Sequence, residues 1–469
     1  MWTAILIAAQ VLGVWGAVDV VMKGRTAQGT TAWALALLLL PVVAMPLYLV
    51  FGERRFAGYM RSRRHGLRQV DAAAEVLFKG LGPFVSTPPD HRGACDALGR
   101  LARIPFTRSN RLDLLVDGEE TIGAILGAID RARDYVLVQF YIIRDDEVGG
   151  RLERALVAAR GRGVRVMLLY DEIGSYALPR AYLGRLTAAG CVCSGFRTKR
   201  RRQKPFRLNF RNHRKIVVVD GRIGFVGGHN IGIEYLGRDP TIGAWRDTHV
   251  AVRGPAVQCL QMVFLEDWYW ANRDSPALTW NPEPCEGHDQ HVLIVPSGPA
   301  DLVETASLMF TQIAGTACKR LWLATPYFVP DEQLLGALQL AALRGVDVRL
   351  ILPAMCDHRM VHFSMMSFCD ELLCLGVRIF RYSEGFMHQK VVLSDDTAVI
   401  STANLDNRSF RINFEISAVV RDRGFAESVA GMLAADLLRS REVPRDGFAK
   451  LPWHTRVISR LCKLFSPVQ

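Results

Sequence analysis

Two stretches of this 469-residue chain carry the same polar constellation. The first is His213-x-Lys215-x4-Asp220, followed by Gly227, Gly228 and Asn230. The second is His388-x-Lys390-x4-Asp395, followed by Ser401 and Asn404. On a strand, residues two apart share a face, so each His points with its Lys. A lysine on that face repels a metal ion, and metal-ligand spacing is missing. Two histidines with two lysines suit a phosphate group instead. Lys neutralises its oxygens and Asn donates hydrogen bonds. One His attacks phosphorus and the other protonates the leaving oxygen. The charge stabilisation then comes from Lys, Asn and backbone groups, so no cofactor and no metal are expected. One such motif is weak, because surface strands carry His-x-Lys by chance. Two copies on matching units are specific.

The elements that must position these residues read as an internal repeat. Asp134 to Tyr170 has the pattern strand, loop, helix, strand, and Lys319 to Leu352 repeats it, with Tyr141 matching Tyr327 and Gly163 matching Gly345. Such alternation predicts α/β layers with a largely parallel sheet. After each His comes an apolar strand, a turn at Asp220-Gly221 or Asp395-Asp396, and a strand returning toward the His. The interval from Asp to Asn is ten residues in the first copy and nine in the second. Turns of different length are therefore expected, with each Asn ending beside its own His.

Composition narrows the class. Half of the chain is hydrophobic and 22% is charged, which excludes a disordered protein. Ten cysteines without a C-x-x-C pair argue against a disulfide scaffold or zinc knuckle. A net charge of +12 points to an anionic partner. Trp2 to Val18 is almost wholly apolar, and Trp33 to Phe51 is a second apolar run of 19 residues. About 20 apolar residues span a bilayer as a helix. No Lys or Arg precedes Lys23, which argues against a secretory signal. A transmembrane hairpin is expected, with Asp19 near the interface. Lys23 and Arg25 lie between the runs; Arg54, Arg55, Arg61, Arg63, Arg64 and Arg68 follow them. Positive residues stay cytoplasmic, so the bulk of the chain is expected there.

With these residues in view, the chain resembles the phospholipase D superfamily, whose motif is His-x-Lys-x4-Asp. It is closer still to bacterial cardiolipin synthases of the two-motif, membrane-anchored type. The stretches YIIRDDEVG, LLYDEIGS, NHRKIVVVDGRIGFVGGHNIGIEYLG, WRDTHVAVRGPAV, TPYFVPDE and SFRINFEIS carry the resemblance. It implies two pseudo-symmetric α/β lobes, each a mixed sheet flanked by helices, with the active site between them. It implies condensation of two phosphatidylglycerols to cardiolipin and glycerol through a phosphatidyl-histidine. His213, Lys215 and Asp220 match one motif, and His388, Lys390 and Asp395 the other. Asn230 and Asn404 match the phosphate-contacting asparagines. His213 is expected as nucleophile and His388 as general acid. Asp220 and Asp395 either orient groups near the histidines or serve only as turn residues. Glu415 either orients a catalytic His or is a plain strand residue. Ser401 departs from the resemblance, standing where the family often has Gly.

The implied organisation is two transmembrane helices over 1–55, a basic juxtamembrane linker over 56–110, and a first lobe over 111–275. A linker over 276–290, a second lobe over 291–445 and an amphipathic segment over 446–469 follow. Arg197 to Lys215 holds ten basic residues, suited to anionic headgroups. Trp453, Val457, Leu461, Leu464 and Phe465 recur at helical spacing with Arg456, Arg460 and Lys463 between, as an interfacial helix or one packed on the core. Trp268, Tyr269 and Trp270 either mark the membrane interface or, by preference, pack a helix over Val263 to Asn272; Met360, Met365, Met366 and Phe368 either line an acyl channel or, by default, pack a core. His358 and His362 lack a third ligand. The expected partners are phosphatidylglycerol, other anionic phospholipids and the bacterial inner membrane, with no nucleic acid. The alternative reading is a hydrolase or nuclease using the same phosphohistidine chemistry.

Overall fold

The computed structural model describes residues 2–23, 27–52, 68–88, 93–196 and 210–469. Five of the six arginines used for the topology argument, and most of the basic run before His213, lie outside the described residues.

Each half of the chain lays down the same strands in the same spatial order. In the first half the order is Val192–Phe196, Arg165–Asp171, Tyr135–Phe140, Ile216–Val219, Ile223–Gly227, Thr248–Arg253 and Thr107–Val116. In the second it is Arg378–Tyr382, Asp347–Pro353, Arg320–Ala324, Val391–Ser394, Thr397–Ser401, Asn413–Arg421 and Gln290–Ser297. The sets join where Thr107 pairs with Val292, so one 16-stranded sheet runs through both halves. The expectation of a largely parallel sheet needs correction. Among the described residues of this sheet, the strands reached through helices pair in parallel, as does the two-residue strand Arg211–Asn212 with Asn413–Arg421, while the edge strand Ser440–Glu442 and the rest are antiparallel. The motif strands are joined by tight turns, and a tight turn can only give an antiparallel pair.

Burial follows the side-chain alternation of a strand covered on both faces. Ile216 and Val218 join the core formed with helix Ala256–Asn272, while Val217 and Val219 join the one formed with helices Asp117–Asp130 and Glu147–Gly161. Trp268 is buried there, as are Met365 and Phe368 in the second half. Residues 56–110 are not simply a linker. Their described part includes helices Arg68–Leu81 and Ala94–Ala102, whose Leu77, Leu81 and Leu98 enter the core. The 276–290 segment also lies against the body: Leu278 and Trp280 pack on the core, and Thr279 O accepts from Gln261 Nε2 at 2.9 Å.

The amino-terminal helix Trp2–Lys23 packs on two shorter ones, Ala27–Leu39 and Pro41–Phe51. The second apolar run is thus two helices rather than one, broken at Leu40 before Pro41, which has no N–H to continue the ladder. Gly13 permits the close approach, since a Cβ there would meet Leu37 O at 2.3 Å. Asp19 is partnered, accepting from Tyr48 Oη at 2.8 Å. Counted over the described residues, no helix is long and apolar enough to cross a membrane.

Candidate active site

The two motif hairpins differ at their turns. Val219 pairs with Ile223 across three residues, whereas Ser394 pairs with Thr397 across two. The extra residue absorbs the difference in spacing, so Gly227 and Ser401 end equivalent strands. Asn230 and Asn404 then line one cavity of about 750 Å³ together with His213 and His388. Asn230 accepts from Ile142 N at 3.1 Å and donates to Tyr235 Oη at 3.0 Å. The buried Oδ1 of Asn404 has no partner.

Asp220 and Asp395 lie in the hairpin turns, away from the histidines. Both sit in the left-handed region, with φ of 54° and 49°. Asp220 accepts from the backbone N–H groups of Arg133, Asp134 and Tyr135 at 2.8–2.9 Å. Asp395 accepts from those of Cys318, Lys319 and Arg320 at 2.8–3.0 Å. The reason is length. A buried strand at about 3.3 Å per residue separates each Asp from its Lys, which carries the carboxylate to the far end of the hairpin.

The histidines are held instead by short bridges between the halves. Arg211–Asn212 pairs in parallel with Asn413 and Phe414, and Phe386–Met387 with Trp245 and Arg246. His213 N then donates to Phe414 O at 2.9 Å, and His388 N to Arg246 O at 2.7 Å. The residue following each of these carbonyls is a carboxylate. Glu415 Oε2 lies 2.9 Å from His213 Nδ1, and Asp247 Oδ2 lies 2.8 Å from His388 Nδ1. Both carboxylates are fully buried. Glu415 is therefore not a plain exposed strand residue: it is buried against the His213 ring, where a carboxylate that orients it would stand. Sequence reasoning missed Asp247, although it lies within a quoted stretch and matches Glu415 in the repeat.

Electrostatics fixes the proton positions. Burial would raise the Glu415 carboxyl, but His213 and Lys215 hold it below its ordinary value. Burial would likewise raise Asp247, and Lys390 with the neighbouring histidines outweighs it. Ionised carboxylates only accept, so each Nδ1 carries the proton and each Nε2 keeps its lone pair. Burial, with the Lys215 and Lys390 charges, pushes His213 down to about 4. Burial and Lys390 push His388 down to about 3. The lysines are also depressed by burial, Lys215 to about 7 and Lys390 to about 8. Lys215 Nζ donates to His213 O at 2.7 Å and lies 5.4 Å from the Tyr141 ring centroid. Tyr141 also meets the His213 ring edge-on at 4.9 Å. Lys390 Nζ lies 2.9 Å from His388 Nδ1 and 3.1 Å from Nε2.

A further polar layer, not foreseen from sequence, supports each motif. Arg214, between His213 and Lys215, pairs with Asp267 at 2.8 Å and donates to Glu415 O at 3.0 Å. In the second half Gln389 donates to Asp436 at 2.7 Å, and Asp436 also pairs with Arg246 at 2.7 Å. Each carboxylate comes from the next helix in the chain, Asp267 after the strand that begins just past Asp247 and Asp436 after the strand bearing Glu415. Ser401 has a local reason. It faces Ser417 and shares a 2.7 Å hydrogen bond with it, whereas a Cβ on its counterpart Gly227 would meet His249 Cα at 2.5 Å. Met360 and His358 line the cavity; His362 instead faces Arg381 at 3.3 Å.

The family model described as Cardiolipin synthase, PLD-like domain, matches residues 125–268 and 310–437. A second, Phospholipase_D-nuclease N-terminal, matches residues 11–53. The chain is 46% identical to Cardiolipin synthase A of Pseudomonas aeruginosa, over 99% of this chain and 95% of that protein. It is 44% identical to Cardiolipin synthase A of Pseudomonas putida, over 97% of this chain and 96% of that protein. Among solved structures, the phosphatidylserine synthase of Haemophilus influenzae shares the fold, with a TM-score of 0.61 at 14% identity, over 81% of this chain and all of that one.

Proposed function

Because the chain belongs to the cardiolipin synthase family with paired PLD-like domains, we propose that it joins two phosphatidylglycerols into cardiolipin and releases glycerol. The observation that carries the mechanism is the pair of histidines on one cavity, each with its Nδ1 held by a buried carboxylate. Both imidazoles are neutral near pH 7, because burial, with the charges of the two lysines, disfavours the cation. An entering phosphodiester offsets those lysines and lets one His take up a proton. His213 Nε2 then attacks phosphorus while the glycerol oxygen departs with the proton from His388. His388, now neutral, takes the proton of the second lipid's hydroxyl as that oxygen displaces His213. Asn404 lines the cavity, where its amide N–H groups donate to phosphate oxygens, and the Lys215 and Lys390 ammonium groups lie beside the two histidines.

The membrane arrangement belongs to the same proposal. The outward faces of the amino-terminal helices expose Val11, Trp15, Val18, Val42 and Val43, which suits lipid rather than water. We place this hairpin in the inner membrane and both lobes on its cytoplasmic side.

The test uses purified protein in mixed micelles with radiolabelled phosphatidylglycerol and no divalent metal. Cardiolipin and glycerol should appear in equal amounts, and His213→Ala or His388→Ala should abolish both. Phosphatidic acid as the sole product would mean that water is the acceptor, and the protein would be a hydrolase.

A further inference from the structure

Helix Trp453–Lys463 has two unlike faces. Ser459 is buried on one of them, and Lys463 pairs with Glu371 and lies 4.5 Å from the Phe368 ring centroid. That face packs on helix Arg359–Leu373. At 3.6 residues per turn Trp453, Val457 and Leu461 fall on the opposite side, and Leu464 continues their line. All four are exposed, Trp453 by 71% and Leu464 by 73%. Arg456 and Arg460, also exposed, border this stripe. Beyond the helix the chain turns back on itself. Gln469 Nε2 donates to Cys462 O at 3.2 Å, and Gln469 O accepts from Arg408 N at 2.8 Å. Gln469 also lines the catalytic cavity. The apolar stripe and the cavity-lining Gln469 thus lie in one short carboxyl-terminal stretch, tied together by the Gln469–Cys462 hydrogen bond.

We propose that this stripe docks on an anionic bilayer surface and seats the cavity mouth against the layer that holds the lipid substrate. An apolar stripe bordered by cations is the pattern of a helix lying in a membrane interface. A second copy of this chain is the poorer occupant, because a twofold contact through the stripe would bring the same arginines together. The docking rests on the helix geometry alone; its effect on turnover rests on the lipid-transfer reading above.

The experiment compares the full chain with the double variant Leu461→Glu/Leu464→Glu. Both are placed in nanodiscs of phosphatidylcholine with or without phosphatidylglycerol. Hydrogen exchange over residues 453–465 should slow by about tenfold in the anionic discs only, and not in the variant. The variant should lose at least about fivefold turnover on bilayer phosphatidylglycerol, yet stay within about twofold on monomeric short-chain phosphatidylglycerol. Equal exchange in both discs would overturn the proposal. So would slow exchange in detergent that grows with protein concentration, which would mark a second copy as the occupant. Equal loss on both substrates would reduce the stripe to a packing role. If the wild type made no cardiolipin from either substrate, the transfer reading would fail while the exchange data would still decide the docking.

Discussion

Asp247 in the first half of the chain holds His388 in the second, with Oδ2 and Nδ1 2.8 Å apart across 141 positions of sequence. Glu415 returns the arrangement, holding His213 at 2.9 Å across 202 positions. Each imidazole therefore depends on a residue outside its own motif.

Asp247→Asn and Glu415→Gln should fold, since each keeps the shape of the side chain it replaces. Each should slow cardiolipin formation by up to roughly 10⁴-fold, because an amide cannot fix the Nδ1–H tautomer or balance an imidazolium. Initial rates beside circular-dichroism melts will check this. A loss under about tenfold in both would remove the orienting role.

Asp220 and Asp395 should behave in the opposite way. Asp220→Ala leaves three backbone N–H groups without their acceptor, which costs about 1–3 kcal/mol of stability. Its turnover at low temperature should stay near that of the wild type. Asp220→Asn keeps an acceptor and tolerates the left-handed backbone, so it should lose less. A large loss of rate with an unchanged melt would contradict the turn assignment.

The covalent step separates the histidines. His388→Ala incubated with labelled phosphatidylglycerol should retain label on His213 as an acid-labile, base-stable phosphoramidate, while His213→Ala should retain none. Removing general acid catalysis slows turnover by about 10²–10⁴-fold, which leaves time for trapping. Label on His388 in the His213 variant would reverse the roles.

The pH dependence has a definite sign. His213 lies at about 4 and His388 at about 3 in the fold, against 6.5 for an ordinary His. As pH falls through 6.5 the unfolded chain binds protons first, so stability present above 6.5 is progressively lost toward 4. Lys215 at about 7 and Lys390 at about 8, against 10.5, add a second window. There the unfolded chain holds protons that the fold has released, so stability rises from neutrality toward 10.5. Melting temperature against pH should therefore show an acid limb that weakens in His213→Ala and an alkaline rise that weakens in Lys215→Met. Inorganic phosphate should oppose both shifts and take up protons on binding, read by calorimetry in buffers of different ionisation heat.

Gly227→Ser and Ser401→Gly form a reciprocal pair. The first drives a Cβ into His249 and should cost about 1–3 kcal/mol by overpacking. The second loses the hydrogen bond to Ser417 and should cost about 1 kcal/mol. Equal melts for both would mean that the facing residue does not set the identity at these positions.

What was legible in the sequence was whatever repeats locally. The two His-x-Lys pairs, the apolar strands after them and the unequal turns lie within short windows, and the alternation of side chains is enough to place them. The continuous sheet was less legible, because the pairing of Thr107 with Val292 joins residues 185 positions apart and no periodicity announces it. The placement of Asp247 is hidden for the same reason: the histidine it bonds lies 141 positions away. Asp220 misled because a carboxylate within a conserved-looking spacing reads as chemistry, whereas a strand's length had already carried it away from the histidine. The helices at 68–81 and 94–102 are hard to read from sequence because the basic residues around them have the composition of a linker.

The exchange of carboxylates has a consequence for ancestry. A polypeptide of half this size, with one His-x-Lys and one carboxylate on the following strand, would have nothing within reach to hold its own imidazole. Two copies related by a twofold axis would each supply what the other needs, residue i against j and j against i. The present chain has the form of such a self-complementary pair fused end to end. The two copies differ at corresponding positions, Asp247 against Glu415, Gly227 against Ser401 and Arg214 against Gln389, so the two histidines stand in similar but unequal surroundings.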